Sequence, residues 1–118
     1  MALASAVLFL IAAAGGEVVG KSPFRDMATV STLMAKLQLR DPPHIDQHCG
    51  EMELEVELAL PPAGQIRHVR IGGPKCAMRR IENLRAVIMQ APRSSFVPVK
   101  RATRYRFKMR FEFSRDAI

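Results

Sequence analysis

Residues 51–60, EMELEVELAL, decide the fold because acidic and apolar side chains alternate in them without a break. Successive side chains of a β-strand point to opposite faces, so this pattern predicts a strand with one buried and one solvated face. The buried face is expected to hold Met52, Leu54, Val56, Leu58 and Leu60, and the solvated face Glu51, Glu53, Glu55 and Glu57. A strand of this kind requires a sheet and a layer that covers its apolar side.

The residues that follow predict a hairpin. Residues 61–64, PPAG, are typical of a turn. Residues 65–71 form a second, shorter predicted strand, and Gly72-Gly73-Pro74 ends it.

An amphipathic helix is predicted on either side of the hairpin. Asp26 can cap the first helix, over residues 27–39, and the second covers residues 77–90. Prolines follow both segments and cannot continue a helix. Apolar residues recur at helical spacing, namely Val30, Leu33, Met34 and Leu37 in the first helix and Ala77, Ile81, Leu84, Val87, Ile88 and Ala91 along the second.

The last predicted strand covers residues 104–113. Its apolar face holds Tyr105, Phe107, Met109, Phe111 and Phe113, and its other face holds Arg104, Arg106, Lys108 and Arg110. Opposite charges on neighbouring strands stabilise a sheet by about 0.2–1 kcal/mol a pair, which favours placing this strand beside the glutamate-rich one. The prediction is a two-layer α+β fold, α-β-β-α-β, with a three-stranded antiparallel sheet in the order 2-1-3 packed against helices. In the alternative, the two charged rows face solvent separately.

The first residues predict export. Residues 1–14 hold no charged side chain, and a helix of this length would be about 20 Å long, short of a ~30 Å hydrocarbon core. The segment fits the apolar region of a signal peptide, with Ala12-Ala13-Ala14 near the cleavage site, although no Lys or Arg precedes it. We expect a signal-like segment over residues 1–14, a linker over 15–25 and one domain over 26–118. The alternative is a buried N-terminal helix.

The two cysteines are expected to form a disulfide. Cys49 precedes the first strand and Cys76 precedes the second helix, so the hairpin brings both to the same end of the sheet. An oxidising compartment would favour their pairing. The alternatives are two reduced buried thiols, or a metal site formed by both cysteines with His44, Asp46 and His48, whose spacing matches no standard zinc pattern.

Charge distribution leaves three classes of partner open. The net charge is +7, but residues 64–118 hold fourteen basic and three acidic side chains. A basic half favours nucleic acid, an anionic surface or an acidic protein. The aromatic residues of the last strand alternate with its basic residues, so they are predicted to be core residues and not a base-stacking platform.

No catalytic set is predicted. The sequence contains no glycine-rich phosphate loop, and no pair of acids stands in a hydrolytic arrangement. Gly72-Gly73-Pro74-Lys75 could bind an anion at a helix N-terminus, but such a run is more typical of a turn. Pairing of Cys49 with His48 or His68 as a nucleophile is not favoured, because the thiol is better used in a bridge. We therefore predict no enzyme activity, no metal and no cofactor.

Residues 49–113 resemble the TolA/TonB C-terminal domain family. The landmarks appear in the family's order: the long strand MELEVELAL, the turn PPAGQ, the return strand IRHVRI, the helix MRRIENLRAVIMQA, the segment FVPV and the closing strand YRFKMRFEF. The first helix and the positions of Cys49 and Cys76 resemble TolA more closely. This resemblance implies a two-layer fold with a three-stranded antiparallel sheet.

The resemblance also implies a function. Domains of this family lie in the periplasm of Gram-negative bacteria and bind outer-membrane receptors, other Tol proteins, bacteriocins or phage coat proteins. They commonly do so by adding a strand to a sheet edge, often at the last strand. Arg104, Arg106, Lys108 and Arg110 would then flank the bound segment and favour an acidic or extended peptide. The family's long spacer is missing between the N-terminal segment and the domain, so we expect a protein that does not itself transmit force, as a freestanding module, an adaptor or a decoy for the same partners.

Overall fold

The computed structural model describes residues 16–41 and 49–111. The predicted signal-like segment, His44, Asp46, His48 and Phe113 lie outside these ranges. The elements are β1 (Glu17–Val19), α1 (Met27–Arg40), β2 (Met52–Leu60), β3 (Val69–Gly72), α2 (Met78–Gln90) and β4 (Thr103–Phe111), with short 3-10 turns at Lys75–Ala77 and Arg93–Ser95. No helix within the described ranges is long and apolar enough to cross a membrane.

The sheet confirms the predicted neighbours of the glutamate-rich strand. The strand order is β1-β4-β2-β3, and β2 is antiparallel to both β3 and β4. Val56, near the middle of β2, lies opposite Ile71 on one side and Phe107 on the other. Pairing of β2 with β4 along its whole length places the acidic row beside the basic row, as the charge argument predicts.

The prediction of three antiparallel strands is wrong, because the sheet has four strands and is mixed. The additional strand, β1, is parallel to β4 and places Val18 opposite Tyr105. It lies inside the segment predicted as a linker, residues 15–25. Three residues are too few to show alternation, so the local sequence does not predict β1. It is a strand because it pairs with the edge of β4, its one strand partner among the described residues. The return strand is also shorter than predicted, since it begins at Val69 and not at residue 65.

Both helices cover one face of the sheet and close a single core. The predicted apolar face of β2 is buried throughout, and Leu33, Leu37, Ile81, Leu84 and Ile88 are buried against it. An aromatic cluster extends this core towards the N-terminal segment. The ring of Phe24 lies 5.4 Å from that of Phe96 and 5.8 Å from that of Phe107, measured between centroids. Phe24 thereby anchors the chain between β1 and α1.

Asp26 caps the N-terminus of α1, as predicted, and Asp41 at its other end contacts α2. The Asp26 carboxylate accepts a hydrogen bond of 2.8 Å from the backbone N–H of Thr29, and this bond lowers the pKa of Asp26 below its ordinary value. At the other end, Asp41 accepts a hydrogen bond of 2.7 Å from the Asn83 amide and lies 3.5 Å from the Arg80 guanidinium. These contacts join the end of α1 to α2.

Cys49 and Cys76 form a disulfide, which confirms the predicted pairing. Their Cα atoms are 5.9 Å apart, within the range that a disulfide requires. The bridge joins the residues before β2 to the turn before α2 and closes a loop that contains the whole hairpin. Neither thiol is therefore available as a nucleophile or as a metal ligand.

Gly73 is expected to tolerate no side chain. A Cβ at this position would lie 2.5 Å from Cδ2 of Leu54 and 3.3 Å from Cδ1 of Ile81, and Leu54 is completely buried. Gly73→Ala should therefore lower the free energy of unfolding by about 1–3 kcal/mol through overpacking. Gly72→Ala is the matched control, because a Cβ there meets nothing within 4 Å. Urea unfolding measures the stability of both variants. Equal midpoints would show that Leu54 and Ile81 can move to accommodate the added methyl group.

Candidate partner-binding site

The outer face of the sheet, opposite the helices, carries both predicted rows of charge. We call it the charged face; it consists of Glu51, Glu53, Glu55 and Glu57 with Arg104, Arg106, Lys108 and Arg110. The side chains of Glu53 and Lys108 are 56% and 65% exposed, so most of this face is in contact with water. The four basic residues predicted to bind a partner thus lie together on one surface.

The two rows form cross-strand ion pairs and do not face solvent separately. The pairs are Arg104 Nε to Glu57 Oε1 at 3.7 Å, Lys108 Nζ to Glu53 Oε1 at 3.6 Å, and Arg110 with Glu51. Each of these three basic residues pairs with the glutamate diagonal to it; Lys108, for example, lies opposite Glu55 in the register but pairs with Glu53. Exposed pairs of this kind contribute about 0.2–1 kcal/mol, so an acidic group of a partner could replace a glutamate in such a pair with only a small loss of free energy.

Arg106 differs from the other three basic residues of the charged face. It lies opposite Glu57 in the register, but Glu57 pairs with Arg104. Among the described residues Arg106 forms no ion pair. Its side chain is half-buried beside Val19, the residue opposite it on β1. An acidic group of a partner could therefore pair with Arg106 without breaking an existing ion pair.

The outer edge of β4 is covered by β1 along its first half. The N–H of Arg104 donates to the Gly16 carbonyl at 3.2 Å, and the N–H of Gly20 donates to the Arg106 carbonyl at 2.8 Å. Main-chain groups of alternate residues point to the same side of a strand, so those of Lys108 point towards this edge as well. β1 ends at Val19, whereas β4 continues to Phe111. A strand placed in line with β1 could therefore extend along β4.

A pocket of about 440 Å³ lies where β1 ends. Its lining includes Val19 and Gly20 at the end of β1, and Arg106, Lys108 and Glu55 of the charged face. Val19 is 63% exposed and places an apolar surface beside the charged groups of the pocket. A chain that follows the line of β1 along β4 would pass through this pocket.

The opposite edge of the sheet is formed by β3. The N–H of Ala59 donates to the His68 carbonyl at 3.2 Å, so the main-chain groups of His68 and Arg70 face β2. Those of Val69 and Ile71 then point away from the sheet. In the part of the chain that the structure describes, no further strand pairs with β3.

The remaining predicted residues do not form a site within the described ranges. No group of three or more potential metal ligands occurs there, and His44, Asp46 and His48 lie outside them. Tyr105 and Phe107 are 8% and 6% exposed, so they are core residues and not a stacking platform, as predicted. Sequence reasoning missed β1, and only Val18-Val19 between two glycines could have indicated it.

Comparison with known proteins gives distant structural similarity. No family model matches the chain, and no curated protein matches its sequence significantly. Two similar solved structures are NMR structures of the C-terminal domain of TonB from Helicobacter pylori. One covers 77% of this chain and 86% of its own, at 10% identity and a TM-score of 0.46. The other covers 71% and 92%, at 8% identity and a TM-score of 0.46. Neither is a TolA domain, so the closer resemblance to TolA stays a prediction.

Proposed function

We propose that this chain is a protein-interaction module of the TolA/TonB C-terminal type. It binds an extended segment of an envelope protein, such as a receptor, a Tol protein, a bacteriocin or a phage coat protein, by adding it as a strand to the outer edge of β4. The sequence resemblance of residues 49–113 supports the type of module. The Cys49–Cys76 disulfide supports an exported, periplasmic protein, because disulfides persist in oxidising compartments. The module acts by binding, without catalysis or a cofactor.

The observation that carries the proposal is the parallel pairing of β1 with half of the β4 edge. This edge accepts a strand of the same chain at Arg104 and Arg106 and continues past the end of β1. Main-chain hydrogen bonds supply affinity in strand addition, and alternate side chains supply specificity. Arg106 and Lys108 line the pocket at the end of β1 together with one carboxylate, that of Glu55, so the lining carries one excess positive charge, which favours an acidic side chain on the bound segment.

Blocking the main chain of Lys108 tests this edge. Lys108→Pro removes an N–H that faces away from β2, which an edge position tolerates, and it should lower partner binding at least fivefold through loss of about 1 kcal/mol. Lys108→Arg, which keeps both the N–H and the positive charge, should retain binding to within about twofold, and Lys108→Ala, which loses only the cation, should lose less affinity than Lys108→Pro.

The partner can be detected with a photo-cross-linker at position 19, in cells of the source organism. Val19 lines the pocket and is 63% exposed; Met78, 56% exposed on α2, is the matched control position. We expect discrete adducts from position 19 that Lys108→Pro reduces at least fivefold and Lys108→Arg preserves. Identical adducts from both positions, or adducts indifferent to proline at 108, would contradict strand addition at β4.

A further inference from the structure

A second group of basic residues surrounds an open cleft of about 560 Å³ at the β3 side of the sheet. Arg67 and Arg70 line it from the β3 segment, Arg85 and Met89 from α2, and Arg104 with Glu57 from the charged face. Three separate elements therefore supply guanidinium groups to one space. Arg67, Arg70 and Arg85 belong to none of the sites predicted from the sequence.

The cleft carries an excess of positive charge that the protein does not neutralise. Glu57 is its one acidic lining residue, against four arginines, and Glu57 already pairs with Arg104 at 3.7 Å. Arg70 lies opposite Glu57 across β2 and β3 but forms no ion pair with it. Arg67, Arg70 and Arg85 have no ion pair or side-chain hydrogen bond with any residue in the described ranges. Like charges held together without acids are unfavourable, so the site gains from an added anion.

The charge and the donor count favour a phosphate-type anion over a carboxylate. Each guanidinium presents a planar set of N–H donors that matches two oxygens of a phosphate or a carboxylate. Three unpaired guanidinium groups carry three positive charges, whereas one carboxylate has a single negative charge. They also present more N–H donors than the two oxygens of a carboxylate can accept. A phosphate group offers more acceptor oxygens and up to two charges. Met89, half-buried and one helical turn from Arg85, adds an apolar wall that suits the carbon part of a phosphate ester.

We infer that Arg67, Arg70 and Arg85 form a binding site for a phosphate monoester, either a soluble compound or a lipid headgroup. The site lies at the β3 side, whereas the proposed strand addition uses the outer edge of β4. The two proposals are therefore independent, and Lys108→Pro should leave phosphate binding unchanged.

The test titrates the full, disulfide-bonded chain with inorganic phosphate and glycerol 3-phosphate at constant ionic strength, by NMR of backbone and arginine side-chain N–H groups. The cleft variant is R67Q/R70Q/R85Q. The matched control, R79Q/K100Q/R101Q, also removes three positive charges, but from exposed positions outside the cleft lining. We expect saturable shifts in the wild type, at least tenfold weaker binding in the cleft variant, and a change under twofold in the control. Circular dichroism verifies that each variant is folded. If the triple variant is unfolded, R67Q replaces it in the test, because Arg67 is exposed, and it should weaken binding at least threefold.

Two further arms complete the test. Sedimentation with vesicles of phosphatidylcholine, with or without phosphatidic acid, identifies the source of the phosphate monoester. Cleft-dependent binding only in the presence of phosphatidic acid assigns a lipid headgroup, and its absence together with saturable glycerol 3-phosphate binding assigns a soluble ester. Acetate should bind at least tenfold more weakly than phosphate. No saturable phosphate binding, equal losses in both triple variants, or acetate as strong as phosphate would each overturn the inference.

Discussion

Replacing Cys49 and Cys76 together with alanine should lower the free energy of unfolding by about 3–4 kcal/mol at 25 °C. The bridge joins residues 27 positions apart, and the loop-entropy model assigns roughly this value to a loop of that size. A domain of this length buries a modest core, so the bridge is a large part of its total stability. Urea unfolding followed by circular dichroism measures the difference.

Reduction of the wild-type protein provides the control for the disulfide. A reducing agent should shift the wild-type midpoint to that of the double alanine variant and leave the variant itself unaffected. If the variant and the oxidised wild type unfold at the same urea concentration, the bridge would contribute nothing to the native state. The end of the sheet where β2 begins would then be held by core packing alone.

Leu54→Ala should lower the free energy of unfolding by about 2–5 kcal/mol, because it leaves a cavity at the centre of the sheet. Leu54 is completely buried on β2, opposite Met109 of β4, and its Cδ2 lies close to Gly73. Loss of its side chain would loosen β2 against β4 and against the turn before α2. The same urea experiment measures the effect.

Leu39→Ala is the matched control for this core substitution. The chemical change is identical, but Leu39 is 87% exposed at the end of α1. A surface substitution of this kind should change the free energy of unfolding by less than about 0.5 kcal/mol. Similar losses in both variants would mean that the core does not lie where the structure places it.

Local pattern was sufficient to predict most of the fold. The alternation in β2 and β4 and the helical spacing in α1 and α2 each extend over nine or more residues, which is long enough for one face to be identified. The disulfide also followed from order along the chain, because a hairpin returns its ends to the same place. For the candidate site, the sequence placed four basic residues on one face of the last strand, and the structure places them together on the charged face.

The rest of the site required three dimensions. β1 is three residues long and has no periodicity of its own; the edge of β4 and the anchoring of Phe24 bring it into the sheet. Which basic residue is unpaired depends on the diagonal reach of side chains across two strands. The same diagonal would join Arg106 to Glu55, but neither residue forms an ion pair in the described ranges, so the register alone does not identify the unpaired guanidinium.

By itself, then, the sequence determined which long elements form, which of their faces are buried, which strands lie beside β2 and which cysteines pair. Periodicity within one element reveals its buried face, and complementary charges on two strands reveal that they are neighbours. The tertiary structure alone decided that β1 covers half of the β4 edge and that Arg67, Arg70 and Arg85 meet at one cleft. Those residues come from separate elements, and their proximity arises from how the layers pack.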